Sequence, residues 1–401
     1  MKHNDTDHAG SAVPPLRLLF WESTSRCNLA CVHCRRQDVA EAAAKDDLTT
    51  VEVRRLLASM ATLGRGIFVF SGGEPLMRPD WEELALHAKS LGLITALATN
   101  GTLIDAAVAG RIRASGFHRV SISLDGADAA THDKFRGVAG AFDGAMAGIA
   151  ALRQAGVPVQ INATIAAHNI HQLDELYAQA RRLGAVALHL FLLVPVGCGV
   201  QISDSHQLPS QQYEQVLNWI CDRQEEILKQ CGMRNAECGM PQSHGHAAHF
   251  DGAHASGAHP GTERPVNALP GLNTANVSAP FELKATCAPH YYRIAAQRKL
   301  LQGRSRGCLC GISVAFVSHK GEVFPCGYLP VDCGNVRSQD FAEIWRTSSV
   351  FADMRKYEML KGKCGACEFR GICGGCRARA YALGGDYLAQ EPFCTYEPGK
   401  A

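Results

Sequence analysis

Three cysteines fall within one short stretch, Cys27-x3-Cys31-x2-Cys34, directly after the apolar run RLLFWES at 17–23. A strand that runs straight into three closely spaced thiols does not read as a disulfide framework. It reads as a metal loop that follows the first strand. Three thiolates leave one iron of a four-iron cluster without a protein ligand, and an open coordination position is what a metal needs to hold and activate a small molecule. Zinc is the competing reading, with His33 as fourth ligand. Because His33 sits between Cys31 and Cys34, its ring is expected to point away.

The remaining composition agrees with metal ligation. The 401-residue chain has 17 cysteines, an odd number, and most are clustered rather than spread. Forty basic residues against 38 acidic ones argue against nucleic acid or an acidic membrane surface as partner. No run of 18 apolar residues occurs, so no membrane span is expected. Residues 1–11 are polar and carry no signal-peptide pattern, so a cytoplasmic chain is expected.

Strand and helix signals alternate after the cysteine loop. Strands are expected at 17–23, 66–70, 93–99, 117–124, 157–165 and 185–194. Helices are expected near 30–44, 49–63 (opened by Thr49 and Thr50), 81–91, 103–114, 140–155 and 173–183, with a long amphipathic one over 208–231. Six such units are fewer than the eight of a closed barrel, so the fold class is α/β, a partial (β/α)6 barrel. The organisation reads as a disordered N-terminus (1–15), the barrel (16–231), an insertion (232–282) and a cysteine-rich auxiliary domain (283–401). The insertion interleaves His244, His246, His249, His254 and His259 with Gly, Ala, Ser and Pro. Such tracts can bind metal, but the plainer reading is a surface segment that buries no core.

CxxxCxxC after the first strand of a partial barrel resembles the radical S-adenosylmethionine (SAM) superfamily, over about residues 16–200. The resemblance implies a catalytic [4Fe-4S] cluster on Cys27, Cys31 and Cys34, with SAM on the open iron. Ser71-Gly72-Gly73-Glu74-Pro75 resembles the loop that takes the amino group of SAM. There Gly72 and Gly73 would let backbone approach the methionine moiety, and Glu74 would pair with its ammonium. Asn100 ends the third strand. Ser123 and Asp125 end the fourth, where family members make polar contacts to SAM. Asn162 and Thr164 resemble ribose contacts, and Val194, opening the loop 194–197, resembles the adenine side. The implied chemistry is one-electron cleavage of SAM to a 5′-deoxyadenosyl radical, which abstracts hydrogen from an unactivated carbon while the protein orients and shields.

Downstream, Cys364-x2-Cys367-x5-Cys373-x2-Cys376-x17-Cys394 resembles the auxiliary-cluster (SPASM-type) extension, although that pattern has three residues where this chain has two, Gly374 and Gly375. The resemblance implies one cluster on Cys364, Cys367, Cys373 and Cys394. It implies a second on Cys376 with Cys326, Cys308 and Cys287, with Cys310 competing with Cys308 and Cys333 a spare. One or two structural zinc knuckles are the alternative.

Four stretches, 20–35, 286–294, 318–336 and 373–394, are similar to the heme synthase branch of the siroheme-dependent heme pathway. That implies an oxidoreductase that oxidatively decarboxylates two propionates of Fe-coproporphyrin III to vinyl groups, giving heme b. Alternatives are the related propionate-removing enzyme of heme d1 biosynthesis and a SPASM peptide maturase. The implied partners are an iron tetrapyrrole and an electron donor such as ferredoxin or flavodoxin. Arg35, Arg136, Arg293, Arg377 and Arg379 are candidates for the propionates, because a guanidinium binds carboxylate bidentately. His290, Tyr291 and Tyr292 are candidates to face the macrocycle.

Overall fold

A computed structural model describes residues 13–36, 41–230, 281–301 and 306–399. The expectations for most of the N-terminus and of the histidine-rich insertion lie outside these residues. The elements run β1 (Leu18–Glu22), α1 (Thr50–Ala61), β2 (Ile67–Ser71), α2 (Trp81–Ser90), β3 (Ile94–Thr99), α3 (Ala106–Ala114), β4 (Arg119–Ser123), α4 (Ala129–Arg136) and α5 (Ala141–Gln154). They continue with β5 (Val159–Ile165), α6 (Leu173–Arg182), β6 (Ala187–Leu192), α7 (Ser203–His206) and α8 (Ser210–Gln230). The rest are β7 (Glu282–Thr286), α9 (His290–Gln297), β8 (Val314–Val317), β9 (Val323–Phe324), α10 (Phe341–Thr347), α11 (Ser349–Met354), α12 (Gly362–Ala366) and α13 (Arg377–Gly384).

The strands form one nine-stranded sheet in the order β7-β6-β5-β4-β3-β2-β1-β8-β9, parallel throughout except at β8–β9. The six expected strands are all present. The sheet is extended beyond them because β7 adds to β6 at one edge and β8 to β1 at the other. β7 starts at the last residue of the 232–282 stretch and β8 lies within 283–401, so the sheet draws on residues beyond the expected 16–231. Their pairing is long-range, and neither four- or five-residue strand carries a strong local signal. β7 and β8 are not paired with each other, so the barrel stays open.

The two-residue period of the strands divides the sheet into two unlike faces. Leu19, Trp21, Phe68, Phe70, Leu97, Val120, Ile122, Ile161, Leu188 and Leu190 are fully buried under the helices. Trp21, Phe68, Phe70 and Phe117 pack ring against ring at 5.3–5.6 Å. Each such side chain contributes about 1.5–3 kcal/mol by leaving water. The alternate positions, among them Ser121, Ser123, Asn162, Thr164 and His189, are half-buried and polar. The concave face is therefore the one chemically equipped for a ligand.

Two helix expectations need correction. No α-helix covers 30–44; within the described residues 27–36 is a loop, followed by a 3-10 helix at Glu41–Asp46. The alanine-rich stretch has helix propensity, but backbone groups of the loop are committed elsewhere: Val32 N–H to Phe135 O and Cys34 O from Cys198 N–H. Helix α4 was not expected, because its sequence is polar. Asp128 starts it by accepting from Thr131 N–H, and Gly137 stops it in the left-handed conformation.

Candidate active site and cluster centres

Loops at the C-terminal ends of β1, β2, β3, β4 and β6 converge on the cysteine loop. The first contact explains both glycines of the second-strand motif. Gly73 N–H donates to Thr24 O at 2.9 Å, and Glu74 N–H to Arg26 O at 2.7 Å. A Cβ on Gly73 would lie 2.0 Å from Arg26 O, and one on Gly72 (φ +126°) 2.8 Å from Ser23 N. These glycines are needed for backbone of the Gly72–Glu74 loop to lie against the segment entering Cys27, a role sequence reasoning did not give them.

Further tethers hold the same loop. Asn100 Nδ2 donates to Asn28 Oδ1 at 2.8 Å, and Asn28 Nδ2 to Thr102 Oγ1 at 2.8 Å. Gly137 packs against Ala30 so closely that a Cβ would meet its carbonyl at 2.2 Å. Gly197 (φ +58°) sits equally close to Arg35 O, and Cys198 N–H donates to Cys34 O at 2.8 Å. Thus Asn100 serves the cysteine loop, and the loop following Val194 closes on its end. Val194 itself is buried with Leu329, Met354 and Cys376.

Glu74 is completely buried. Its carboxylate accepts from Leu76 N–H, Thr99 Oγ–H and Asn100 N–H at 3.2, 2.7 and 2.9 Å. Burial still pushes its carboxyl above the ordinary range. A carboxylate has about four acceptor sites, so one remains beyond these three donors.

Asp125 is the second fully buried carboxylate. Its Oδ1 accepts from Thr164 N–H at 2.6 Å, and its Oδ2 pairs with Arg136 Nη2 at 2.5 Å and faces His33 Nε2 at 3.6 Å. Burial raises its carboxyl, but Arg136 and the neighbouring imidazoles outweigh that and hold it below the usual value. His33 stacks on Phe135 at 3.9 Å, and burial drives its imidazole down to about 3, so it stays neutral. Ser123 and Asn162 are register partners on the concave face; Asn162 Oδ1 accepts from Gln160 Nε2 at 2.7 Å.

The thiols at this centre are half-buried, and burial pushes Cys27 up to about 11. Leu29 N–H points at Cys27 Sγ (3.5 Å) and Arg136 Nη1 at Cys31 Sγ (3.7 Å). Donors aimed at sulfur stabilise a thiolate, the form that ligates metal.

In the C-terminal region one cavity is lined by Cys364, Cys367, Cys373 and Cys394, with Gly374 and Gly375. Both glycines have positive φ, and a Cβ on Gly375 would come 3.1 Å from Cys364 Sγ. Gly375 N–H points at Cys373 Sγ (3.5 Å), and Glu391 N–H and Arg377 Nη2 at Cys364 Sγ (3.3 and 3.6 Å). A second group comprises Cys287, Cys326 and Cys376, packed around the small apolar cluster of Leu329 and Met354. Cys308 joins it, since the Cys308 and Cys310 thiols contact each other and Cys310 also reaches Cys326. Cys333 stands apart and donates to Val331 O.

The arginines considered for the propionates are already engaged. Arg136 holds Asp125, Arg293 clamps Glu214 at 2.6 and 2.7 Å, and Arg377 donates to the carbonyls of Tyr387 and Ala389. Arg379 is fully buried against Glu391, Tyr213 Oη and Cys287 O. Arg35 pairs with Glu22 at 3.0 Å over the Phe316 ring and is the most exposed of the five. Tyr291 bonds to Gln224, and His290 lines the four-cysteine cavity.

Residues 21–180 match the radical SAM superfamily, and residues 308–368 match an iron–sulfur cluster-binding domain, SPASM. The AdoMet-dependent heme synthase of Methanosarcina barkeri is 41% identical over 396 residues, 96% of this chain and 97% of that protein. The chain belongs to the AdoMet-dependent heme synthase family of radical SAM enzymes. The pre-heme d1 synthase of Dinoroseobacter shibae is further away, 31% identical over 95% of this chain and 86% of its own. The fold is shared with Streptococcus suis SuiB bound to S-adenosylmethionine (TM-score 0.67, 16% identity, 96% of this chain and 78% of that one). As a radical SAM heme synthase family member the chain uses [4Fe-4S] clusters and SAM. The chemistry of its cysteine sets suits such clusters: half-buried thiols with N–H donors directed at sulfur, four of them lining one cavity, and Gly375 placed where a side chain would crowd Cys364 Sγ. Among the described residues no helix of this family member is long and apolar enough to cross a membrane.

Proposed function

We propose that this chain forms heme b by oxidatively decarboxylating two propionates of Fe-coproporphyrin III to vinyl groups. The observation that carries the reading is 41% identity to an AdoMet-dependent heme synthase along nearly the full length of both chains, against 31% for the pre-heme d1 synthase.

In this reading Cys27, Cys31 and Cys34 hold the catalytic cluster, and residues 16–231 supply most of the barrel around it. Bound there, the cluster supplies the electron that cleaves SAM and thereby the radical that abstracts hydrogen. The chain's own residues orient and shield. The Gly72–Glu74 loop, Asn100 and the 194–197 loop fix the cysteine loop, and the remaining acceptor site of Glu74 suits the SAM ammonium. Ser123, Asn162 and Thr164 present hydroxyl and amide groups from the concave face toward the nucleoside. Asp125, kept ionised by Arg136, fixes the backbone of Thr164 and so its position. Arg35, on the same side of the sheet as Glu22, is our choice for a propionate.

In the C-terminal region (283–401), Cys364, Cys367, Cys373 and Cys394 hold one auxiliary cluster, and Cys287, Cys308, Cys326 and Cys376 a second. Either offers a place for the electron released with each CO2. A ferredoxin or flavodoxin is the proposed electron donor. The deciding experiment is anaerobic incubation with SAM, a reductant and Fe-coproporphyrin III. Protoheme should appear, with two CO2 per heme. Loss of whole propionates instead would move the chain to the heme d1 reaction.

A further inference from the structure

His290, the first residue of α9, is completely buried, and neither ring nitrogen has a hydrogen-bond partner among the described residues. A buried unsatisfied polar group costs about 1–3 kcal/mol, so such a ring normally has a partner. The neighbours cannot provide one. The Glu391 carboxylate is taken by Cys376 N–H at 2.7 Å, Phe393 N–H at 3.2 Å and Arg379 Nε at 2.9 Å. Arg293, one turn on, is bound to Glu214. Tyr213 stands beside the imidazole with ring centres 5.8 Å apart, but its hydroxyl donates to Leu193 O and accepts from Arg379.

What His290 does face is the cavity of Cys364, Cys367, Cys373 and Cys394. Three donors already point at sulfurs of these cysteines, Gly375 N–H, Glu391 N–H and Arg377 Nη2, while the lining cations Arg293, Lys363 and Arg370 are bound to oxygens. Four thiolates already make the number a cubane takes, so a fifth ligand is not required.

We propose that His290 is a positioning residue of the auxiliary cluster, its imidazole N–H donating to a cluster sulfur. The inference rests on the proposed cluster at these four cysteines. An N–H···S bond is stronger to the more electron-rich, reduced cluster, so it raises the reduction potential. That favours acceptance of the electron released when a propionate carboxylate leaves as CO2.

The test is a redox titration, followed by electron paramagnetic resonance, of the anaerobically reconstituted full-length enzyme. His290→Leu removes the donor at similar volume, whereas His290→Gln keeps an N–H. Signals unaffected by added SAM are auxiliary, and the one that a Cys373→Ala variant lacks belongs to the cluster at this cavity. The proposal expects wild-type iron content in both variants. In His290→Leu the reduced-to-oxidised ratio at the wild-type midpoint should fall roughly tenfold, about 59 mV for a one-electron couple. In His290→Gln much of the shift should be recovered. An unchanged midpoint in His290→Leu with full iron overturns the proposal, and so does loss of the cluster in both variants, which would make His290 a ligand. Absence of any SAM-insensitive signal in the wild type, with zinc in its place, would instead defeat the cluster assignment beneath it.

Discussion

Asn100 donates its side-chain amide to Asn28 Oδ1 at 2.8 Å, so the end of β3 holds the cysteine loop from 72 residues away. Asn100→Ala removes this tether and the acceptor for Thr102. We expect 5′-deoxyadenosine formation to fall roughly tenfold, about 1.4 kcal/mol, the scale of one or two modest hydrogen bonds. An unchanged rate in an assay of SAM cleavage would show that the loop does not need the tether.

Gly73→Ala forces a methyl group to 2.0 Å from Arg26 O, and backbone cannot yield there without moving Cys27. The variant is expected to lose the catalytic cluster's iron and most SAM cleavage. Gly110→Ala is the control: nothing lies within 4 Å of its Cβ position on α3, and it should stabilise by up to about 1 kcal/mol. Iron analysis and thermal unfolding of both variants make the comparison.

Cys27→Ala, Cys31→Ala and Cys34→Ala should each abolish SAM cleavage while the chain still folds, because the C-terminal cysteines are a separate set. Normal 5′-deoxyadenosine yield from any of them would refute the cluster assignment.

Cys373→Ala should separate two activities that the wild type couples. Reductive SAM cleavage should persist while vinyl formation falls steeply. A structural zinc at these cysteines predicts joint loss of folding and both activities. Iron content checks this independently, at about four per cubane and about twelve for three.

The pH prediction concerns His132, whose Nδ1 accepts from Asp125 N–H at 3.0 Å and is therefore neutral in the fold. Burial lowers its imidazole from 6.5 to about 4. Below pH 6.5 the unfolded chain takes up a proton that the folded chain refuses, so stability falls as pH drops from 6.5 to 4. The loss amounts to roughly 3 kcal/mol below pH 4. His132→Asn should flatten this part of the stability–pH curve; an equally steep curve would show that another group dominates.

The residues differ in how much of this could be read from sequence. Strands such as Ile67–Ser71 and Ala187–Leu192 were legible because apolar residues bounded by turns mark local structure. The three-cysteine loop was legible because its ligands are adjacent in the chain. Asn100 illustrates what was not: its position was recognised, but its partner Asn28 is fixed only by tertiary approach. Gly72 and Gly73 were expected to admit a ligand, and they admit another stretch of backbone. Arg293, Arg377 and Arg379 had the right chemistry for propionates, yet Glu214, local carbonyls and Glu391 had already taken them. Nothing in the local sequence announces such pairings.

The pairing of β8 with β1, from Leu18↔Val314 to Trp21↔Val317, bears on the order in which the molecule can be made. When the first 230 residues have left the ribosome, β1 and β6 are both bare sheet margins, and the strands that will cover them have yet to be synthesised. Such margins invite pairing with other chains. The strand that feeds the cysteine loop gains its second neighbour only once residues near 314 have emerged. The strand leading into the cysteine loop is thus flanked on both sides only when most of the polypeptide exists, and a prematurely terminated chain would present an unprotected edge there.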